Sequence, residues 1–127
     1  MADFTFAHRK EGFDNHIEQS IRGYSHLMED VISLSRYFIE DDTNVVDIGC
    51  STGKMTKALI DYNKDYSVCA RYVGLEIAEG FRDDLKKRKS ELNEYYEFVE
   101  FKDIDARKYA DKNSSLITSI FTLQFMP

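Results

Sequence analysis

The sequence predicts an α/β fold in which one parallel sheet carries flanking helices. Three observations predict it. Short β-branched or apolar runs alternate with amphipathic helical stretches; the first run ends in a glycine-containing turn that leads straight into a helix; and conspicuous acidic residues fall at or just beyond the ends of successive runs. Strands separated by helices are joined by crossovers, which makes their pairing parallel and right-handed. At 127 residues and 43% hydrophobic content, the chain has material for one core and one domain.

The elements follow in order. Residues 1–22 are polar with scattered aromatics (Phe4, Phe6, Phe13) and Gly23 follows, which describes a loose arm and a short helical turn, a lid or a tail. The arm is therefore assigned to residues 1–24 and the α/β domain to residues 25–127. Leu27, Met28, Val31, Ile32, Leu34, Ser35 and Phe38 recur at helical spacing, predicting an amphipathic helix that packs on the sheet and stops near Glu40-Asp41-Asp42. The run Asn44-Val45-Val46-Asp47-Ile48-Gly49 predicts a buried parallel strand feeding a tight turn.

Helix resumes over residues 54–62, and Tyr72-Val73-Gly74-Leu75-Glu76-Ile77 gives the second strand. Residues 79–92 predict a charged, exposed crossover helix, and residues 96–101 a third strand whose alternation suits a sheet edge. Residues 115–121 form a fourth, more continuously apolar strand after a loop over residues 103–114. The pattern stops after this fourth strand, where a complete sheet of this kind continues. That strand would then have an open side, and an apolar open edge favours a homo-oligomer or a partner subunit.

Composition excludes several function classes. A net charge of −6 opposes direct nucleic-acid binding by bulk charge, because phosphate contacts need clustered Lys and Arg. The densest basic run, Lys86-Lys87-Arg88-Lys89, falls in the charged helix and reads as a solvated face. Cys50 and Cys69 lack the spacing of a metal site or a disulfide framework, so no metal is expected and a reducing cytoplasm is the natural compartment. No apolar stretch approaches the length of a signal peptide core or a membrane span.

The chemistry is concentrated in Val46-Asp47-Ile48-Gly49-Cys50-Ser51-Thr52-Gly53, set between a strand and a helix as a nucleotide-binding turn is. Gly49 lets the chain leave the strand sharply, the small Ser51 admits a ligand close to the backbone, and Gly53 permits tight entry into the helix. A carboxylate at Asp47 repels a pyrophosphate but attracts the ammonium of an amino-acid moiety, which favours S-adenosyl-L-methionine over a dinucleotide. Glu76, at the end of the second strand, is placed to accept ribose hydroxyls. Asp103-Ile104, past the third strand, is placed to take an adenine amino group and cover the base. Each has a plainer alternative: Asp47 as a helix cap, Glu76 as a surface charge, Asp103 as a turn residue. His8, His16 and His26 read as surface or packing histidines, and no residue stands out as a general base.

Four stretches carry a family resemblance: Phe13-Asp14, Gln19-Ser20-Ile21-Arg22-Gly23-Tyr24-Ser25, Asp47-Ile48-Gly49-Cys50-Ser51 and Phe121-Thr122-Leu123-Gln124-Phe125. With them the sequence resembles the class I S-adenosylmethionine-dependent methyltransferases, whose fold is Rossmann-like. More narrowly, it is similar to the carboxy-S-adenosylmethionine synthase branch, which serves tRNA wobble-uridine modification. The third stretch is shared across methyltransferases; the second and fourth are more particular to the branch. The resemblance implies that Gly49, Cys50 and Ser51 line the methionine part of the cofactor, Glu76 holds the ribose, Asp103 with Ile104 holds the adenine, and Tyr24 reaches the ligand from the N-terminal lid. It implies either methyl transfer or the synthase reaction, which uses S-adenosylmethionine and prephenate.

The sequence also departs from the branch. Glu76-Ile77 stands where the branch has Asp-Asn, Ile120 where it has Asn, and the arginine that recognises the extra carboxylate is expected beyond residue 127. A second reading is therefore a non-catalytic cofactor-binding module acting with a partner subunit.

Overall fold

The computed structural model describes residues 12–66, 69–93 and 98–120. Helices α1 (Phe13–Ser20) and α2 (Tyr24–Ser35) precede strand β1 (Asn44–Ile48) and helix α3 (Lys54–Asn63). Strand β2 (Arg71–Leu75) leads through a 3-10 turn (Glu79–Phe81) into α4 (Arg82–Asn93), then β3 (Val99–Lys102). A second 3-10 turn (Ala106–Lys108) precedes β4 (Ser114–Thr118). All pairings are parallel and the strand order is β3-β2-β1-β4.

The order follows from the connections. β1, β2 and β3 step outward in one direction, and the chain then returns to place β4 on the other side of β1. Build-up thus reverses direction between β1 and β4, the topology that in open α/β sheets places ligands beyond the carboxyl ends of the strands. Register puts Val45, Tyr72, Val99 and Leu116 in one row and Val46, Val73 and Ile117 in the next. Because side chains alternate across a sheet, the two rows face opposite sides. The first row joins Met55, Leu59 and Ile60 of α3 in the main core. Val46, Val73 and Leu75 form a smaller cluster on the opposite side, against Ile48, Ala106 and Tyr109.

Helix α2 ends at Ser35, short of the predicted acidic stop, and packs on α3 as well as on the core. Its working stripe is Met28, Val31, Ile32 and Ser35, spaced i, i+3, i+4, i+7, while Leu27, Leu34 and Phe38 face outward. The sequence window holds both stripes. A polar seam selects one of them: Ser35 is buried, and its hydroxyl donates to the Ile32 carbonyl at 2.5 Å and accepts from Asn63 Nδ2 at 2.9 Å.

The structure corrects two further expectations. The basic run of α4 is not wholly a solvated face: Arg88 lies over the glycine turn, and an added Cβ at Gly53 would stand 3.0 Å from its Cγ. Strand β4 ends at Thr118 rather than 121, because β1 finishes at Ile48 and leaves the sheet at Gly49, where φ is +70°. Residue 121, the Phe-Thr-Leu-Gln-Phe stretch, residues 94–97 and most of the arm lie outside the described residues. β3 does occupy a sheet edge.

Candidate functional site

The turn that leaves β1 for α3 is tied to the carboxyl end of β2. Gly49 N–H and Cys50 N–H both donate to the Leu75 carbonyl, at 2.8 and 3.0 Å, and Gly53 N–H donates to the Cys50 carbonyl at 2.8 Å. Three of the five turn residues are left-handed: Gly49 at φ +70°, Ser51 at +53° and Gly53 at +78°. For Ser51 that conformation costs about 1–2 kcal/mol. It directs the Ser51 N–H toward Glu76, whose Oε1 accepts it at 2.9 Å.

Glu76 also accepts the Ala78 N–H on Oε2 at 3.0 Å. Its carboxylate therefore bridges the glycine turn and the segment after β2, leaving lone pairs on both oxygens for a ligand. It is not a stray surface charge. Asp47, by contrast, is buried at 6% exposure within the last residues of β1. Its Oδ1 accepts from Thr118 Oγ1 at 2.9 Å, so the bond crosses from β1 to β4. It does not cap α3, whose N-cap is Gly53 without a side-chain bond. Burial pushes the Asp47 carboxyl up to about 7, the Thr118 hydroxyl pulls it back, and the Glu76 charge adds to the rise. Two carboxyl groups thus stand at neighbouring strand ends, and a cation between them would relieve their mutual repulsion.

Cys50 is buried. Its thiol packs with Phe81, Leu85 and Phe101, and burial, aided by the Asp47 and Glu76 charges, pushes it far above the ordinary thiol range. Gly74 makes room for this packing: a Cβ there would meet Phe101 Cδ1 at 2.6 Å and Cys50 Sγ at 2.8 Å.

The tip of the turn is gripped from two sides. The Thr52 hydroxyl donates to the Asp14 carboxylate of α1, at 2.9 and 3.1 Å, and the Thr52 carbonyl accepts from Arg88 Nε of α4 at 3.1 Å. Tyr24 opens α2 behind Gly23 (φ +75°) and is half-buried. Asp103 and Ile104 lie just past β3, both exposed, and Asp103 meets Arg82 at the start of α4. Asp47, the turn, Glu76 and Asp103 thus share one end of the sheet.

Sequence reasoning gave no site role to Asp14, Thr52, Thr118, Arg82 or Arg88. Asp14 and Thr52 stood inside quoted motifs, so a signal existed. The two arginines were indistinguishable from their charged neighbours, because nothing in a helical run says which cation a crossover folds back over the turn. Among the described residues, no group of three or more His, Cys, Asp or Glu could hold a metal, and no helix is long and apolar enough to cross a membrane.

A family profile described as a methyltransferase domain matches residues 46–127. The carboxy-S-adenosyl-L-methionine synthase of Mannheimia succiniciproducens is 33% identical over 132 aligned residues, covering 100% of this chain and 52% of that protein. The synthase of the same name from Staphylococcus epidermidis is 30% identical over 115 residues, covering 90% of this chain and 46% of the relative. The chain spans about half the length of the curated relatives it matches. Among solved structures, a putative S-adenosyl-L-methionine-dependent methyltransferase from Methanococcus maripaludis superposes with a TM-score of 0.67 at 18% identity, covering 100% of this chain and 56% of that one. An S-adenosyl-L-methionine-dependent methyltransferase from Thiobacillus denitrificans, solved with S-adenosyl-L-homocysteine, superposes with a TM-score of 0.56 at 20% identity, over 77% of this chain and 37% of that one. At these identities the structural likeness speaks for the fold.

Proposed function

The chain belongs to the methyltransferase-domain family, of the class I S-adenosylmethionine-dependent kind, and from that premise we propose that the carboxyl ends of β1 and β2, with the glycine turn, bind S-adenosyl-L-methionine. Asp47 faces the ammonium, Gly49, Cys50, Ser51 and Gly53 supply the close backbone, and Glu76 takes the ribose hydroxyls. Asp103 and Ile104 take the adenine, and Tyr24 closes from the N-terminal side. The observation that carries the reading is the Glu76 carboxylate, held by the N–H groups of Ser51 and Ala78 at 2.9 and 3.0 Å beside a turn of left-handed residues.

The donor set fits the group. The pair of carboxyl groups Asp47 and Glu76 suits a ligand with a sulfonium and an ammonium and repels a pyrophosphate. S-adenosylmethionine, when bound, supplies an activated methyl group on a positively charged sulfur. The chain's own part is to bind and orient it. Asp47, ionised, attracts the cationic end; Glu76 fixes the sugar; the grip of Asp14 and Arg88 on Thr52 keeps the turn in the conformation that presents its backbone.

The finer form of the reading is that the chain is the cofactor-binding part of a cytoplasmic carboxy-S-adenosylmethionine synthase serving tRNA modification. Its support is the 33% identity that runs along 100% of the chain. Calorimetric titration with S-adenosylmethionine and S-adenosylhomocysteine tests the binding reading. Saturable binding that falls at least about tenfold in Asp47→Ala and in Glu76→Ala is the expected outcome. A folded sample that binds neither ligand sinks it. Prephenate-dependent formation of the carboxylated cofactor tests the finer form.

A further inference from the structure

The segment from Glu76 to Arg82 begins with the carboxylate assigned to ribose and ends with a cation that grips the carboxylate assigned to adenine. Its first residue is tied down by backbone: Glu76 N–H donates to the Lys102 carbonyl at 3.1 Å, immediately before Asp103. Its last residue is tied by side chain, Arg82 Nη2 donating to Asp103 Oδ2. Between these ties Phe81 is buried with Leu85 and Cys50, which fixes the start of α4 and therefore the root of the Arg82 side chain. Glu79 Oε1 lies 3.8 Å from the same Arg82 nitrogen and keeps the guanidinium on the rim.

We propose that Arg82 is a positioning residue for base recognition: it occupies one oxygen of Asp103 and turns the other toward the adenine amino group. The proposal rests on the assignment of adenine to Asp103. A lone carboxylate at 54% exposure samples several rotamers, and each of its oxygens is equivalent to a ligand. With a guanidinium fixed on Oδ2, Oδ1 is the oxygen left, and the spacing between the ribose and adenine subsites becomes a property of one clamped loop. A planar, always-charged donor suits this task, and a lysine substitutes for it poorly. Nothing in the sequence marks Arg82 apart from the other cations of α4, since its partner is 21 residues away.

The test compares S-adenosylhomocysteine with S-inosylhomocysteine, in which a carbonyl oxygen replaces the amino group and faces the carboxylate. Both ligands are titrated into the wild type, Arg82→Ala, Arg82→Lys, Asp103→Ala and the double variant. Arg82 and Asp103 are each about half exposed, so the substitutions spare the core, and equal melting temperatures verify this. Arg82→Ala is expected to weaken S-adenosylhomocysteine binding roughly three- to fivefold, narrow the preference over the inosyl ligand, and change nothing once Asp103 is already alanine. Arg82→Lys should recover part of the loss. Equal weakening of both ligands by Arg82→Ala, no weakening, or effects of the two alanines that simply multiply would each overturn the proposal. If Asp103→Ala leaves binding and preference unchanged, or if the wild type binds neither ligand, the adenine assignment itself falls and takes the proposal with it.

Discussion

Asp47 shows how position alone changes the chemistry of one residue type. Buried beside Thr118 and close to the Glu76 charge, its carboxyl is held at about 7 against an ordinary 3.8. The native state therefore keeps a proton that the unfolded chain releases near pH 4. Across that window the native state binds more protons, so stability is greatest on the acid side and declines as pH rises toward 7. Replacing Asp47 by Asn keeps an oxygen for Thr118 and abolishes the ionisation. Compared with the wild type in urea titrations at pH 5 and pH 8, Asp47→Asn should be more stable at pH 8, by on the order of 1–3 kcal/mol. The difference should shrink toward pH 5. The same variant should bind S-adenosylmethionine more weakly at pH 8, having lost the charge proposed to draw the ammonium. A variant stabilised at neither pH would mean that the carboxyl is not strained by its surroundings.

At the scale of elements, the glycine turn depends on two glycines for different reasons. Gly53 is left-handed and crowded by Arg88 and Phe101, whereas Gly74 carries no such φ and is excluded by space alone, with Phe101 and Cys50 inside 3 Å of a would-be Cβ. Gly74→Ala is expected to cost about 1–3 kcal/mol through overpacking, and Gly53→Ala a comparable amount through backbone strain and contact. Chemical denaturation gives both values. Of the two, Gly53→Ala should impair cofactor binding the more, since it deforms the turn itself. The turn, its strand and the helix after it were legible in the sequence because local chemistry sets all three: a β-branched run, glycines at the corners and a helical period. The working stripe of α2 was not, because two overlapping stripes both satisfied the spacing and a buried Ser35–Asn63 bond chose between them. Arg82 and Arg88 were hidden for a related reason, their partners being 21 and 36 residues away in sequence.

For the whole molecule, the parallel sheet and the placing of Asp47, Glu76 and Asp103 at one end of it were foreseeable from strand–helix alternation, since every crossover returns the chain to the same side. What alternation cannot give is how completely each face is covered. On the side opposite α3, Val46, Val73 and Leu75 are buried against Ile48, Ala106 and Tyr109, whereas Ile117 stands 57% exposed on the edge strand β4. We expect this chain by itself to associate with rising concentration through that strand. In sedimentation velocity, Ile117→Lys should shift the distribution toward monomer; a wild type that stays monomeric at every concentration would contradict this. The two cysteines, finally, make the fold its own recorder. Cys69 lies open to solvent while Cys50 sits beneath the glycine turn, so a thiol reagent added to the native protein should mark Cys69 at once and Cys50 only when the turn lifts. The rate of that second, slow labelling measures how often the site comes apart, and a ligand that holds the turn closed should lengthen the wait.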